Sequence, residues 1–214
     1  CYGSAMELSV LLEPTINFHR LREVLDGLGH VGRVETVRRW GKREQSRLYE
    51  AIKGHMPLTL DYFVPTTNDA LMPVIHEGKN SLPAFSYFQK RFCKPKEKAG
   101  DTKAELWGYN ESSAVSSMQV MPFIGPGYFC VHVPEGRDAT DGEIDIDYRK
   151  VPTAKPDSWP EIIPNEAKLG RFVYAGMVDV MRGLSDHVSI GRAMKGGKWM
   201  DAWFVLVRED SPSA

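Results

Sequence analysis

The chain has 214 residues, is 42% apolar and 26% charged, and sets 27 Lys and Arg against 28 Asp and Glu for a net charge of -1. That is material for one sizeable core, or a core with a small subdomain, and it lacks the cationic surplus of a dedicated nucleic-acid binder. There is no run of about 18 apolar residues and no basic region leading into an apolar one, so neither a membrane span nor a secretion signal is expected, and the expected compartment is the cytoplasm.

Residues 1–5 (Cys1-Tyr2-Gly3-Ser4-Ala5, before Met6) read as a remnant of tag cleavage and are set aside from fold reasoning. A helical segment is expected over 6–55. Between 15 and 29, Ile16, Leu21, Val24, Leu25 and Leu28 recur at helical spacing, with Thr15 as N-cap and Gly29 as the stop. A second helical stretch over 31–39 spaces Val31, Val34 and Val37 three apart. A third carries Leu48, Tyr49 and Ile52 from a cap at Ser46 to Gly54.

Beyond Gly54, prolines at 57, 65, 73, 83 and 95 interrupt every stretch before a long helix can develop, and 56–214 reads as one antiparallel β domain. Residues 58–64 have strand-like composition, 84–92 are aromatic-rich and fit strand or helix, and 94–103 are a lysine-rich loop. Strands are expected at 105–110, 117–123, 127–133, 143–150, 172–176, 188–194 and 202–209, with one or two helical turns at 177–184. Ile144, Ile146 and Tyr148 alternate with Asp145, Asp147 and Arg149, as in a strand with one wet face. Lys195-Gly196-Gly197-Lys198 is a tight hairpin turn. The fold class is α+β: a helical N-terminal segment, then a barrel or strongly curved antiparallel sheet.

No strong catalytic signature stands out. His19, His30, His55, His76, His132 and His187 are scattered without metal-pair spacing, and Cys1, Cys93 and Cys130 form no Cys-x-x-Cys, so neither a metal site nor a cofactor is indicated. Gly29-His30-Val31-Gly32-Arg33 could hold an anion at a helix start. Gly125-Pro126-Gly127 joins two strands and reads as a turn. Asp179 and Arg182, three apart on the expected helix, with His187 beyond, read either as a structural ion pair or as the mouth of a ligand cavity.

Phe88-Gln89-Lys90-Arg91-Phe92, Ile144-Asp145-Ile146-Asp147-Tyr148-Arg149, the stretch from Val178 to Gly191 and the closing strand Trp203-Phe204-Val205-Leu206 follow one another in an order that resembles lipocalin-like (calycin) β-barrel proteins of the GXWXG and related families. The resemblance spans roughly 75–209, although no Gly-x-Trp-x-Gly motif is present. It implies a calycin-type barrel that binds a small hydrophobic molecule, and it brings no catalytic residues with it.

Three functions compete. The first is binding of a small hydrophobic or amphipathic molecule in the barrel, lined by Trp107, Tyr128, Phe129 and Tyr174, with Arg149 or Arg182 anchoring a polar end. The second is a cofactor-independent isomerase, cyclase, lyase or decarboxylase in the same cavity, with His187 or His132 as acid or base beside Asp179, Asp147 or Tyr148. In the third, the basic run Arg33, Arg38, Arg39, Lys42, Arg43 and Arg47 docks an acidic protein or polyanion. A homodimer through an apolar face is compatible with the sequence, which singles out no such surface.

Overall fold

The computed structural model describes residues 15–82, 86–96, 104–112, 125–134, 142–167 and 170–210. Eight antiparallel strands close into a barrel in chain order: β1 (Val74–Asn80), β2 (Tyr87–Cys93), β3 (Leu106–Ser112), β4 (Tyr128–His132), β5 (Ile144–Asp147), β6 (Met177–Gly183), β7 (Val188–Lys195) and β8 (Lys198–Arg208). The ring is shut by β1 pairing with β8, His76 opposite Arg208 and Asn80 opposite Phe204. Closure leaves no sheet edge, and eight strands make an interior that side chains can fill or one small ligand can share.

Ahead of the barrel the described residues include α1 (Phe18–Gly27), α2 (His30–Val37) and α3 (Lys42–Ala51). Asn17, not Thr15, caps α1 by accepting from the Arg20 N–H, and α3 starts at Gly41, whose N–H donates to Glu44 Oε2 at 2.9 Å. The helices press Leu21, Leu25, Val37, Leu48 and Ile52 onto the outer face of β7 and β8, against Val188, Ile190, Val205 and Val207. Each leucine fully buried there contributes ~1.5–3 kcal/mol, so the helical segment and the barrel share a core.

Strand periodicity divides the remaining side chains between two faces. Inward lie Phe92, Leu106, Phe129, Val131, Ile144, Ile146, Met181, Phe204 and Leu206. Outward on β2 to β4, Cys93, Trp107, Tyr109, Tyr128 and Cys130 form a separate cluster under Trp159. Both cysteines are free, and burial pushes each thiol up to about 12, which keeps them protonated and inert.

Glycines inside the wall make room for rings. A Cβ on Gly191 would come within 2.2 Å of the Phe204 ring, and one on Gly108 within 2.3 Å of Phe129 and 2.5 Å of the Arg91 carbonyl.

Several expected elements differ. Residues 58–64 hold the one-turn helix α4 (Leu60–Phe63), which closes one barrel end with Phe63 packed on Phe92 and His76. The 172–176 strand is replaced by a short helix, α5 (Gly170–Val173), and a turn ending at Gly176 with φ 71°. The 177–184 helix is strand β6, buried on both faces and therefore without the wet side that marks a surface strand. Strand β1 had no clear sequence signal: His76, Glu77, Gly78 and Lys79 break up its apolar run. The 84–92 stretch resolves as β2, the Gly196-Gly197 hairpin forms with both φ positive, and the 117–123 strand lies outside the described residues.

Candidate functional site

β2 and β6 stand on opposite walls of an eight-strand ring. The spacing Phe88-x-Lys90-x-Phe92 turns Lys90 inward, where an ammonium has no water to meet (2% exposed). Its three donors are all used. Lys90 Nζ donates to Asn110 Oδ1 at 2.8 Å, to Asp179 Oδ2 at 3.1 Å and to the Tyr148 hydroxyl. Lys90 and Asn110 are direct partners across the β2–β3 ladder, while Asp179 belongs to β6 and Tyr148 follows β5, so the cluster ties the two walls together across the lumen.

The other members contact one another as well. The Tyr148 hydroxyl donates to Asp179 Oδ2 at 3.2 Å and accepts from Asn110 Nδ2 at 3.0 Å, and the same amide reaches the Gly127 carbonyl at 3.3 Å. Four rings surround the Lys90 nitrogen: Tyr148 and Phe204 at 5.0 Å, Phe129 at 5.1 Å and Phe88 at 5.6 Å to their centroids. Tyr174 stacks on Tyr148 at 5.3 Å and 13°. Gly127, at φ 58°, lies against the Tyr174 ring, where a Cβ would sit 2.5 Å away. Phe88, Tyr174 and Met177, at the barrel end that carries the cluster, are only partly buried.

Burial sets the electrostatics. Desolvation pushes the Lys90 amine down, against the attraction of Asp179, and pushes the Asp179 carboxyl up, against hydrogen bonds from Lys90 and Tyr148. The Tyr148 phenol is driven well above its ordinary value, first by burial and then by the Asp179 charge. All three shifts favour the neutral forms, and those of Lys90 and Asp179 bring the two groups toward each other, so that they compete for one proton across 3.1 Å.

The residues expected from the sequence separate. Asp179, Tyr148 and Phe129 face the lumen at this cluster, and Tyr174 covers it. Asp179 and Arg182 lie on opposite faces of β6, because a strand sends i and i+3 to different sides. Arg182 points outward, donating to Glu143 Oε1 at 2.7 Å and the Tyr49 carbonyl at 2.6 Å, with its guanidinium 3.9 Å over the Tyr49 ring. It fastens α3 to the barrel.

Trp107 and Tyr128 lie in the outer cluster under Trp159, and the Tyr128 hydroxyl donates to the Pro160 carbonyl at 2.5 Å. His132, Asp147 and Arg149 meet on the outer wall: His132 Nε2 is 3.3 Å from Asp147 Oδ2, and Arg149 grips both carboxylate oxygens at 2.8 Å. Burial opposes ionisation of Asp147, but bonds from His132 and Arg149 outweigh it and hold the carboxyl far below its usual range. The expected wet face of β5 is thus buried and paired: Asp145 and Asp147 are covered, and only Arg149 reaches solvent.

His187 sits in the β6–β7 turn at the far end of the barrel, its Nδ1 3.5 Å from Asp210. The anion at the start of α2 is the chain's own Asp210, bonded by the His30 N–H at 3.2 Å and by Arg33. Of the basic run, Arg33, Arg38 and Lys42 pair with Asp210, Glu77 and Asp201.

Lys90 and Asn110 escaped the sequence reading. The signal for both was the period of two: Phe88 and Phe92 flank Lys90, and Leu106 and Gly108 precede Asn110 on the same face. Among the described residues no group of three or more His, Cys, Asp or Glu is placed to hold a metal ion, and no helix is long and apolar enough to cross a membrane. No family model, curated protein or solved structure matches the chain.

Proposed function

We propose that the barrel takes up a small apolar or amphipathic molecule through the mouth formed by Phe88, Tyr174 and Met177, and sets its polar end against Lys90, Asn110, Tyr148 and Asp179, as a lipocalin-like barrel would. One observation carries this reading: a hydrogen-bonded amine, amide, phenol and carboxyl converge among aromatic and aliphatic side chains of the lumen. A few convergent polar groups within apolar walls are the usual composition of a small-molecule site. A buried ion pair is seldom more stabilising than apolar residues of the same volume, so stability alone gives little reason to keep a lysine and an aspartate there.

The reading is tested by native mass spectrometry of the purified protein, followed by denaturation and organic extraction. A stoichiometric small apolar adduct is expected, released on unfolding. A bare mass, with no thermal stabilisation by decan-1-ol or decanoic acid, contradicts it.

A second reading, cofactor-independent chemistry on such a molecule, is favoured by the hydrogen-bonded contacts of Asp179 with Tyr148 at 3.2 Å and Lys90 at 3.1 Å. The polyanion-docking reading has less support, because the basic run already spends Arg33, Arg38 and Lys42 on carboxylates of its own chain.

A further inference from the structure

We infer that Lys90 binds its ligand covalently, as an imine with an uncharged aldehyde or ketone whose apolar remainder extends toward Phe88, Tyr174 and Met177. The inference rests on the small-molecule reading of the barrel and adds to it the chemical class of the ligand and the atom that holds it.

Lys90 is the one buried lysine among the described residues. An amine becomes a nucleophile when its surroundings favour the neutral form, and an apolar pocket does this by withholding water. Here the pocket is ringed by Phe88, Phe129, Tyr148 and Phe204, each 5.0–5.6 Å from the nitrogen.

The neighbours match the proton requirements of imine formation. The amine nitrogen attacks the carbonyl carbon as the C=O π pair moves to oxygen. With the one proton of the Lys90–Asp179 pair resting on Asp179, the oxygen takes a proton from the Tyr148 hydroxyl, which Asp179 resupplies across 3.2 Å, and the resulting carboxylate accepts a proton from nitrogen across 3.1 Å. A second transfer by the same route lets that oxygen depart as water. The sum is amine, carboxylic acid and carbonyl compound giving protonated imine, carboxylate and one water, with no oxidant or reductant. The protonated imine keeps Asp179 as counter-ion and gains from the same four ring faces that now surround the ammonium.

The charge of the ligand follows from what the lumen does not offer at this end. Arg149 and Arg182, the arginines positioned in sequence to grip a carboxylate, point outward and are engaged by Asp147 and by Glu143 and the Tyr49 carbonyl. A keto acid would bring a second negative charge beside Asp179, whereas a neutral carbonyl compound brings none.

The test incubates the full chain with decanal and cyanoborohydride, which reduces an imine to a stable secondary amine, and maps the modified lysine by peptide mass spectrometry. Decan-1-ol, with the same chain and no carbonyl, runs in parallel as a non-covalent binder and competitor. Lys90 should carry about tenfold more label than any exposed lysine, as expected of a desolvated amine. Decan-1-ol should suppress that label, and Lys90→Arg, which keeps a cation but cannot form the imine, should abolish it. Because the label is mapped on the wild-type chain, the result stands even if the variant fails to fold.

Binding of decan-1-ol together with a label confined to exposed lysines would overturn the imine and leave the binding reading intact. Binding of neither probe, with Lys90 unlabelled, would overturn both.

Discussion

Lys90 Nζ and Asp179 Oδ2 lie 3.1 Å apart although they enter from opposite walls of the barrel, and both side chains are 3% exposed. Removing one partner of such a pair leaves an uncompensated buried group, at a cost of about 3–5 kcal/mol. Lys90→Met and Asp179→Leu are each expected to destabilise the chain by about that much. The double variant should be more stable than the sum of the two predicts, by about 0.5–3 kcal/mol. Denaturant unfolding of the four proteins measures the coupling, and strictly additive losses would show that the pair does not interact.

His76 gives the fold an acid sensitivity of its own. It lies between Phe63 and Phe92, and its Nε2–H donates to the Phe63 carbonyl at 3.0 Å, which leaves Nδ1 buried without a partner. Burial pushes the imidazole down from 6.5 to about 3. The unfolded chain therefore takes up the proton first as pH falls. The stabilising contribution is complete above 6.5 and is lost toward 3, with a slope of up to about 1.4 kcal/mol per pH unit. His76→Gln should show a shallower loss of unfolding free energy across this window. Parallel slopes in the two proteins would refute the assignment.

Gly191 faces the lumen where the Phe204 ring and Met181 Sδ lie 2.2 and 2.7 Å from a would-be Cβ. Gly191→Ala is expected to cost about 1–3 kcal/mol through overpacking. Both obstacles are side chains, so Phe204→Leu in the same chain should recover part of the loss. Thermal melts of the single and double variants decide the point, and a Gly191→Ala protein as stable as the wild type would mean that the lumen has slack at this position.

Arg182 separates stability from ligand uptake. Its bonds to Glu143 and the Tyr49 carbonyl lie outside the barrel, between β6 and α3. Arg182→Met is expected to lower stability by about 3–5 kcal/mol, yet to take up decan-1-ol with unchanged affinity below its melting range. Weakened uptake by a well-folded Arg182→Met protein would return this residue to the ligand site.

The parts of the fold that were legible in the sequence are those where one face is wet or a turn requires glycine. The helices over 18–51 kept a solvent side, and the β7–β8 hairpin announced itself through Gly196 and Gly197. β6 was misread because both its faces are buried, with Asp179 in the lumen and Arg182 on the outside against Tyr49 of α3, and the two then look like neighbours on a helix. β5 showed its alternation, but the sequence could not tell that its polar side would be roofed and its carboxylates paired.

Half of the cluster, Asp179 and Tyr148, was visible as isolated candidates. Lys90 was hidden by Gln89 and Arg91, which give the segment a surface-like composition, and the contact of β2 with β6 across the lumen is a property of closure that no local pattern records.

The most direct test of a ligand seated at Lys90 is NMR of the chain labelled at lysine 13Cε, with the Lys90 signal assigned by its loss in Lys90→Arg. A resonance buried among four rings stands apart from those of the exposed lysines, and addition of decan-1-ol should shift it while leaving theirs in place. A Lys90 signal that stays fixed while decan-1-ol binds would put the ligand elsewhere on the protein and contradict the account.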